Sequence, residues 1–210
     1  RALDLCDEMD KLRVSLKFRM STRVDTVEEE TFRALKEHGL FAVSLGAESG
    51  VQRKLDSWNK NTTVEQNLEA VKILEELGIY VQMGFILIDP WITVEELEEE
   101  VAFLEKTRWV VTKGICTSLF AAEGTPVTED MKKNIKGLRK EGANYLYEVQ
   151  DPKARAIHEA LRLWSRANSE IYDKAIDPIS APKAIDYEYY GKFHEICVEL
   201  KDRDIQVLKE

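Results

Sequence analysis

Between about residues 13 and 127, short apolar runs alternate with longer amphipathic segments, and no other feature constrains the fold as much. Val14 to Phe18 alternates, with Val14, Leu16 and Phe18 on one side of an expected strand. Leu40 to Leu45 and Ile79 to Ile88 follow. The second is nearly continuously apolar through Met83-Gly84-Phe85-Ile86-Leu87-Ile88, as strands buried on both faces are. Val110 to Phe120 is the fourth candidate. Between them lie helices, three opening on an expected capping box: Thr26-x-x-Glu29, Thr62-x-x-Glu65 and Thr93-x-x-Glu96. Gly39 and Gly78 close two of them. Leu68, Val71, Leu74 and Leu77 form one apolar stripe, and Val94, Leu97, Val101 and Leu104 another. The acidic residues between the stripe positions read as a solvated face. Such alternation specifies an α/β fold with a parallel sheet and right-handed crossovers. Four strands cannot close a barrel. The sheet is either open or part of a barrel whose first strands are missing.

The chain has 210 residues, 44% hydrophobic, which suits one large domain or a domain with an appendage. A formal net charge of -9 argues against a broad nucleic-acid-binding face and leaves room for a local basic pocket. No apolar run is long enough for a membrane span, and neither a span nor a signal peptide is expected in these residues. Cys6, Cys116 and Cys197 lie far apart without C-x-x-C spacing, so they read as small buried apolar side chains and no metal ligands are assigned. Their sparse, odd number fits a reducing compartment, hence an expected cytoplasmic location. His38, His158 and His194 are equally scattered, and His38, before Gly39, fits a helix C-terminus. The chain starts with arginine inside a helical pattern (Ala2, Leu3, Leu5, Met9, Leu12), as a piece of a longer protein would.

After Pro126 the pattern changes. Met131 to Glu141 is basic and polar. Asp151-Pro152 opens a long helix with Ile157, Leu161, Trp164, Ile171 and Ala175 facing a core. Pro178 and Pro182 are expected to break it, and Phe193, Cys197, Leu200 and Val207 mark a last helix. Tyr172, Tyr187, Tyr189 and Tyr190 read as packing residues. The division is 1–127, an α/β part, and 128–210, an all-α region.

The candidate chemistry sits at strand ends, where parallel α/β sheets bind ligands. Leu45-Gly46-Ala47-Glu48-Ser49-Gly50 places a carboxylate, a hydroxyl and two glycines there. Glu48 suits ribose hydroxyls or an ammonium group, and Ser49 either joins it or only shapes the turn. Arg19 and Arg23 flank the end of the first strand. They either grip a carboxylate or, for Arg23, pair with Asp25. Lys60 precedes a helix N-terminus, where lysine opposes the dipole, so it serves a ligand or is merely solvated. Gly84 invites close approach, Asp89-Pro90 shapes a turn, and Ala121-Ala122-Glu123-Gly124-Thr125-Pro126 leaves room for a flat ring or is a plain loop. No Ser-His-Asp set, P-loop or H-E-x-x-H occurs.

Taken in order, Arg23-Val24-Asp25, Leu45 to Gly50, Asn59-Lys60-Asn61-Thr62-Thr63, Gly84 to Pro90 with Thr93, and Glu123 to Pro126 resemble the radical S-adenosylmethionine (SAM) superfamily over about residues 10 to 127. The resemblance implies the later portion of a partial (β/α)6 TIM-like barrel. It implies that Glu48 contacts the ribose or methionine part of SAM, with Arg23 and Lys60 at the same pocket. Ile86 and the Ala121-Ala122 backbone would flank adenine, and Ser49 is the weakest carry-over. The Gly-Phe-Ile-Leu-Ile-Asp-Pro form looks most like the branch with an N-terminal cobalamin-binding domain, so cobalamin joins the implied cofactors. The family's C-x-x-x-C-x-x-C loop, whose three thiolates hold a 4Fe–4S cluster, is not in this sequence. The chain is therefore expected to be inactive alone, completed by the N-terminal part of the same protein and served by an electron donor. The implied activity is reductive SAM cleavage that starts hydrogen abstraction or methylation on a small organic substrate. A tRNA substrate is disfavoured by the acidic balance. The alternatives are a non-catalytic half-barrel scaffold that pairs with another chain and an unrelated α/β enzyme with a phosphate site.

Overall fold

The structure, a computed structural model, describes residues 1–180 and 186–210. Helix α1 (Ala2–Leu12) leads into β1 (Phe18–Arg23), a single 3-10 turn (Val24–Thr26), α2 (Glu29–Glu37) and β2 (Leu40–Glu48). Helices α3 (Gln52–Ser57) and α4 (Val64–Glu76) precede β3 (Tyr80–Phe85), and α5 (Val94–Lys106) follows it. Strand β4 (Ala121–Ala122), α6 (Pro126–Asn134), β5 (Arg139–Glu141), β6 (Asn144–Leu146), α7 (Pro152–Ser180) and α8 (Asp186–Lys209) complete the chain.

The strands β1, β2 and β3 form a parallel sheet in that order. One face carries Val43, Leu45, Val81 and Met83 against Phe32, Leu35, Val71, Leu74 and Leu104 of the crossover helices. The first strand starts where its expected segment ends. Val14 and Leu16 are exposed, and pairing begins only at Phe18, opposite Leu40. The expected strand over Val110 to Phe120 is also corrected. It meets β3 at an isolated parallel bridge, Gln82–Val111, and the segment after β3 at another, Ile88–Ser118, and extended pairing does not form. Residues 128–210 are mostly helical but contain the β5–β6 hairpin, which pairs with β4 in a small antiparallel sheet.

Capping follows the sequence in part. Thr93 and Glu96 make the expected box at α5. At α4 the box is shifted by one residue, to Thr63 and Gln66. At α2 the N-cap is Glu28, because Thr26 belongs to the 3-10 turn and donates to the Arg23 carbonyl. Gly39 and Gly78 follow the ends of α2 and α4 with positive φ, as expected. Asp151 caps α7 through the Ala154 amide at 2.8 Å. Pro178 lies inside the described part of α7 and does not break it, contrary to expectation. Ile171 is 50% exposed and leaves the core-facing stripe. Pro182 lies outside the described residues, and the side chain of Tyr187 likewise.

The other sheet face is polar at its centre and is closed by the end of α7. Arg19 donates to Ser44 Oγ at 2.7 Å and Gln82 Oε1 at 3.0 Å. It also donates to the Ile179 carbonyl at 2.6 Å and to the Ser180 carbonyl. A guanidinium on the last carbonyls of a helix is favoured by the dipole. Arg19 is thus committed to the end of α7, which corrects its reading as a carboxylate binder. Tyr190 of α8 packs on Phe41 and Tyr80, with ring centroids 5.0 and 5.2 Å away.

Helix α8 is anchored by Lys201, buried, whose Nζ donates to the Thr107 and Val110 carbonyls, each at 2.6 Å. Burial pushes the Lys201 ammonium down to about 7, with Asp202 opposing and Arg108 assisting. Above that value the unfolded chain binds the extra proton, so stability rises with pH until the unfolded lysine titrates. Urea unfolding between about pH 7 and pH 9 is expected to show this rise, by at most about 1.4 kcal/mol per pH unit. The substitution Lys201→Met is expected to flatten it, and an equally steep rise in that variant would contradict the anchor.

Candidate functional site

Strand β2 ends on Glu48 in the left-handed region, at φ +68°. A non-glycine residue there costs about 1–2 kcal/mol, so the surroundings must hold it. Its carboxylate folds back over the sheet. A Cβ added at Gly46 would lie 3.3 Å from Oε1, and one at Gly84 would lie 3.3 Å from Oε2. The two glycines, on neighbouring strands, therefore make the floor on which the carboxylate rests. Lys60 Nζ donates to Glu48 Oε1 at 2.8 Å. Among the described residues Oε2 receives no donor. Arg23 donates to the Lys60 carbonyl at 3.2 Å and grips Asp25 with two bonds of 2.9 Å. The Asp25 bonds raise the basicity of Arg23 and lower the Asp25 carboxyl pKa. Glu48, Lys60 and Arg23 thus meet at the C-terminal ends of β1 and β2, and Arg23 makes the expected pair with Asp25.

The conformation of Glu48 is imposed from behind. Asn67 on α4 donates to the Ala47 and Ser49 carbonyls at 3.0 and 2.9 Å. The Ile86 amide donates to the Glu48 carbonyl at 2.8 Å. Ser49 turns inward: its hydroxyl is fully buried and donates to Glu100 Oε1 at 2.5 Å. The expected ligand contact of Ser49 is therefore replaced by a structural one. The other oxygen of Glu100 accepts the Gly50 amide at 2.7 Å. Lys54, equally buried, donates to Glu100 at 2.5 Å and to the Ile86 and Leu87 carbonyls at 2.6 and 3.0 Å. Burial pushes the Glu100 carboxyl upward, and Lys54, Ser49 and the Gly50 amide pull it back. Gly50 is needed for the approach: an added Cβ would sit 2.2 Å from Phe103 of α5. Next to this hub, Arg53 holds buried Asp89 at 3.0 and 3.3 Å and also bonds Glu96 of the α5 cap.

Sequence reasoning missed Lys54, Asn67 and Glu100. A signal exists for two of them. Asn67 stands three and four residues before Ala70 and Val71, and Glu100 three after Leu97 and four before Leu104, each on a buried helical stripe. Glu100 contradicts the solvated-face reading of the acidic α5 positions, which holds for exposed Glu95 and Glu98.

Ile86 continues from β3, half-buried, and shares an apolar cluster with Leu119, Ala121, Val127 and Met131. Ala121 is buried and Ala122 half-buried in β4. The structure thus brings Ile86 and Ala121 together and joins Ile86 to Glu48 through the backbone.

The donor set fits SAM: an open carboxylate oxygen, a lysine, a glycine floor and an apolar wall. The cysteines do not fit an iron–sulfur cluster. Cys6 and Cys197 are buried, and burial pushes the Cys116 and Cys197 thiols up to about 11, away from the thiolate a cluster needs. Among the described residues no group of three His, Cys, Asp or Glu could hold a metal ion, and no helix is long and apolar enough to cross a membrane.

Residues 3–104 match the Radical SAM superfamily. The anaerobic magnesium-protoporphyrin IX monomethyl ester cyclase of Cereibacter sphaeroides is 29% identical over 163 residues, 76% of this chain and 26% of that protein. The 4'-phospho-dehydrooxetanocin synthase of Priestia megaterium is 32% identical over 120 residues, 51% of this chain and 16% of that protein. The chain thus spans about a quarter or less of these curated relatives. The fold is similar to the cobalamin-dependent SAM radical enzyme OxsB with aqua-cobalamin and SAM bound. The TM-score is 0.74 at 20% identity, covering 95% of this chain and 36% of that one. The radical SAM methyltransferase TsrM from Kitasatospora setae, with cobalamin and an iron–sulfur cluster bound, gives 0.53 at 19% identity, covering 67% and 28%.

The hub generates a stability prediction. Glu100→Ala leaves the Lys54 ammonium buried without its partner, at an expected cost of about 3–5 kcal/mol. Thermal unfolding should show a midpoint lower by roughly 10 °C. The double substitution Lys54→Met with Glu100→Leu should cost less than Glu100→Ala alone, because it removes both charges. A Glu100→Ala midpoint within a degree or two of the original would contradict this.

Proposed function

Because residues 3–104 match the Radical SAM superfamily, we propose that the chain is the SAM-holding part of an enzyme of that superfamily. That enzyme cleaves SAM reductively and so starts hydrogen abstraction or methylation on a small organic substrate. The observation that carries this reading is Glu48: a strained carboxylate at a strand end, laid over two glycines, with one oxygen open. SAM bound there would supply the radical chemistry, given one electron from a reductant outside this chain. The residues of this chain bind and orient. Glu48 accepts hydrogen bonds from ribose hydroxyls or from the ammonium of the methionine part. Lys60 holds the Glu48 carboxylate in place and offers a positive charge to the carboxylate of SAM. Arg23 fixes the Lys60 backbone. Ile86, with the Ala121-Ala122 backbone, flanks the adenine.

The cluster ligands, in this reading, come from protein outside these 210 residues, and an electron donor serves that cluster. The likeness in fold to cobalamin-dependent enzymes makes cobalamin a further cofactor to test, also held elsewhere.

A charged hydrogen-bond partner contributes about 1.5–3 kcal/mol, so Glu48→Ala in the full-length, cluster-loaded protein should weaken SAM binding about tenfold to a hundredfold. Exposed Glu98 is the control, and Glu98→Ala should change little. Affinity and release of 5′-deoxyadenosine are measured anaerobically with a reductant. Unchanged affinity in Glu48→Ala removes that residue from the site, and absence of cleavage in the unmutated protein overturns the enzymatic reading.

A further inference from the structure

Beyond the strand ends, a hollow of about 520 Å³ opens between the N-terminal half of α7, the β5–β6 hairpin and the segment leading into β4. Its size is that of a small-ligand pocket. Its chemistry departs from that of the whole chain, which carries a net charge of -9. Arg139 lines it from β5, and Arg155, His158 and Arg162 line it from α7 at helical spacing, so one face of that helix is basic. The acidic groups facing it are Glu148 and Glu159.

These arginines are not used up by the fold. Arg155 donates Nε to the Val149 carbonyl at 2.7 Å and stands 3.6 Å from the exposed Glu148 carboxylate. Among the described residues the side chains of Arg139 and Arg162 have neither a hydrogen bond nor an ion pair. His158 Nε2 lies 3.2 Å from Ser118 Oγ. In the wall, the Asn144 side-chain oxygen is buried with no partner. Its amide can equally be turned so that its NH2 donates. Burial, and after it the nearby Arg162, lower the basicity of His158, with Glu159 opposing.

We propose that this hollow binds the anionic group of a small organic ligand, a phosphate or a carboxylate, gripped by Arg139 from the hairpin and Arg162 from α7. Guanidinium forks match both oxyanions, and Ser118, His158 and the Asn144 amide supply further donors. The site needs no cluster, no SAM and no turnover, so it stands or falls independently of the enzymatic reading.

The test titrates the 210-residue chain with inorganic phosphate and, separately, with succinate. Ionic strength is held with chloride, and the His158 ring protons are followed by NMR. His158→Gln identifies the signal among those of the three histidines. A saturable shift is expected with at least one probe, together with a higher pH midpoint for His158 when bound. Saturation by phosphate alone assigns a phosphate group, and by succinate alone a carboxylate. Arg139→Ala and Arg162→Ala should each weaken binding about tenfold, and Arg162→Lys should recover only part of the loss. No saturable shift with either probe, or unchanged affinity in both alanine variants, overturns the proposal.

Discussion

The buried pair Lys54–Glu100 is the interaction on which the rest of the site depends. It joins the turn after β2, the end of β3, and helices α3 and α5 at one place. Two charges in a dry interior are costly, and only a full set of partners makes them tolerable. Here the set is nearly complete. Lys54 donates to a carboxylate and two carbonyls, and Glu100 accepts from a lysine, a hydroxyl and an amide. Its product is geometric. With Ser49 and Gly50 drawn inward, and with Asn67 fixing the carbonyls on either side, Glu48 is left in the left-handed conformation, its carboxylate turned over the glycine floor.

The two faces of the sheet divide the labour. The apolar face is covered by the crossover helices and supplies the cohesion. The face bearing Ser44 and Gln82 is closed by Arg19 and the end of α7. Gly84 at the top stays exposed. Next to Glu48 the chain supplies Lys60 to Oε1, and Oε2 receives no donor among the described residues, while below it Arg19 binds Ser44, Gln82 and the end of α7. Arg53, Asp89 and Glu96 tie the loop after β3 to the α5 cap and keep that rim in place.

What could be read from the sequence was what local chemistry decides. Thr93 with Glu96, Asp151 with Pro152, and Gly39 after α2 depend on neighbours in the chain, and the structure places each as expected. Misreadings came where a distant partner decides. Val14 and Leu16 alternate like a strand, but β2 offers no pairing before Leu40. Val110 to Phe120 has strand composition, yet meets β3 and the segment after it only at isolated bridges. Arg19 read as a carboxylate binder because nothing in the nearby sequence shows that α7 supplies two carbonyls. In the candidate site, Glu48, Lys60 and Arg23 were legible because strand ends are where such residues gather. Ser49 was not, since its partner Glu100 lies 51 residues away. The charged or polar residue interrupting an apolar helical stripe was visible in α4 and α5, and it marks the hub.

The most direct measurement is a crystal structure of the full-length, cluster-loaded protein with SAM bound. A ribose hydroxyl or the methionine ammonium is expected at hydrogen-bond distance, about 2.7–3.2 Å, from Glu48 Oε2, with adenine beside Ile86. SAM bound elsewhere, with the Glu48 carboxylate still held only by Lys60, would contradict it.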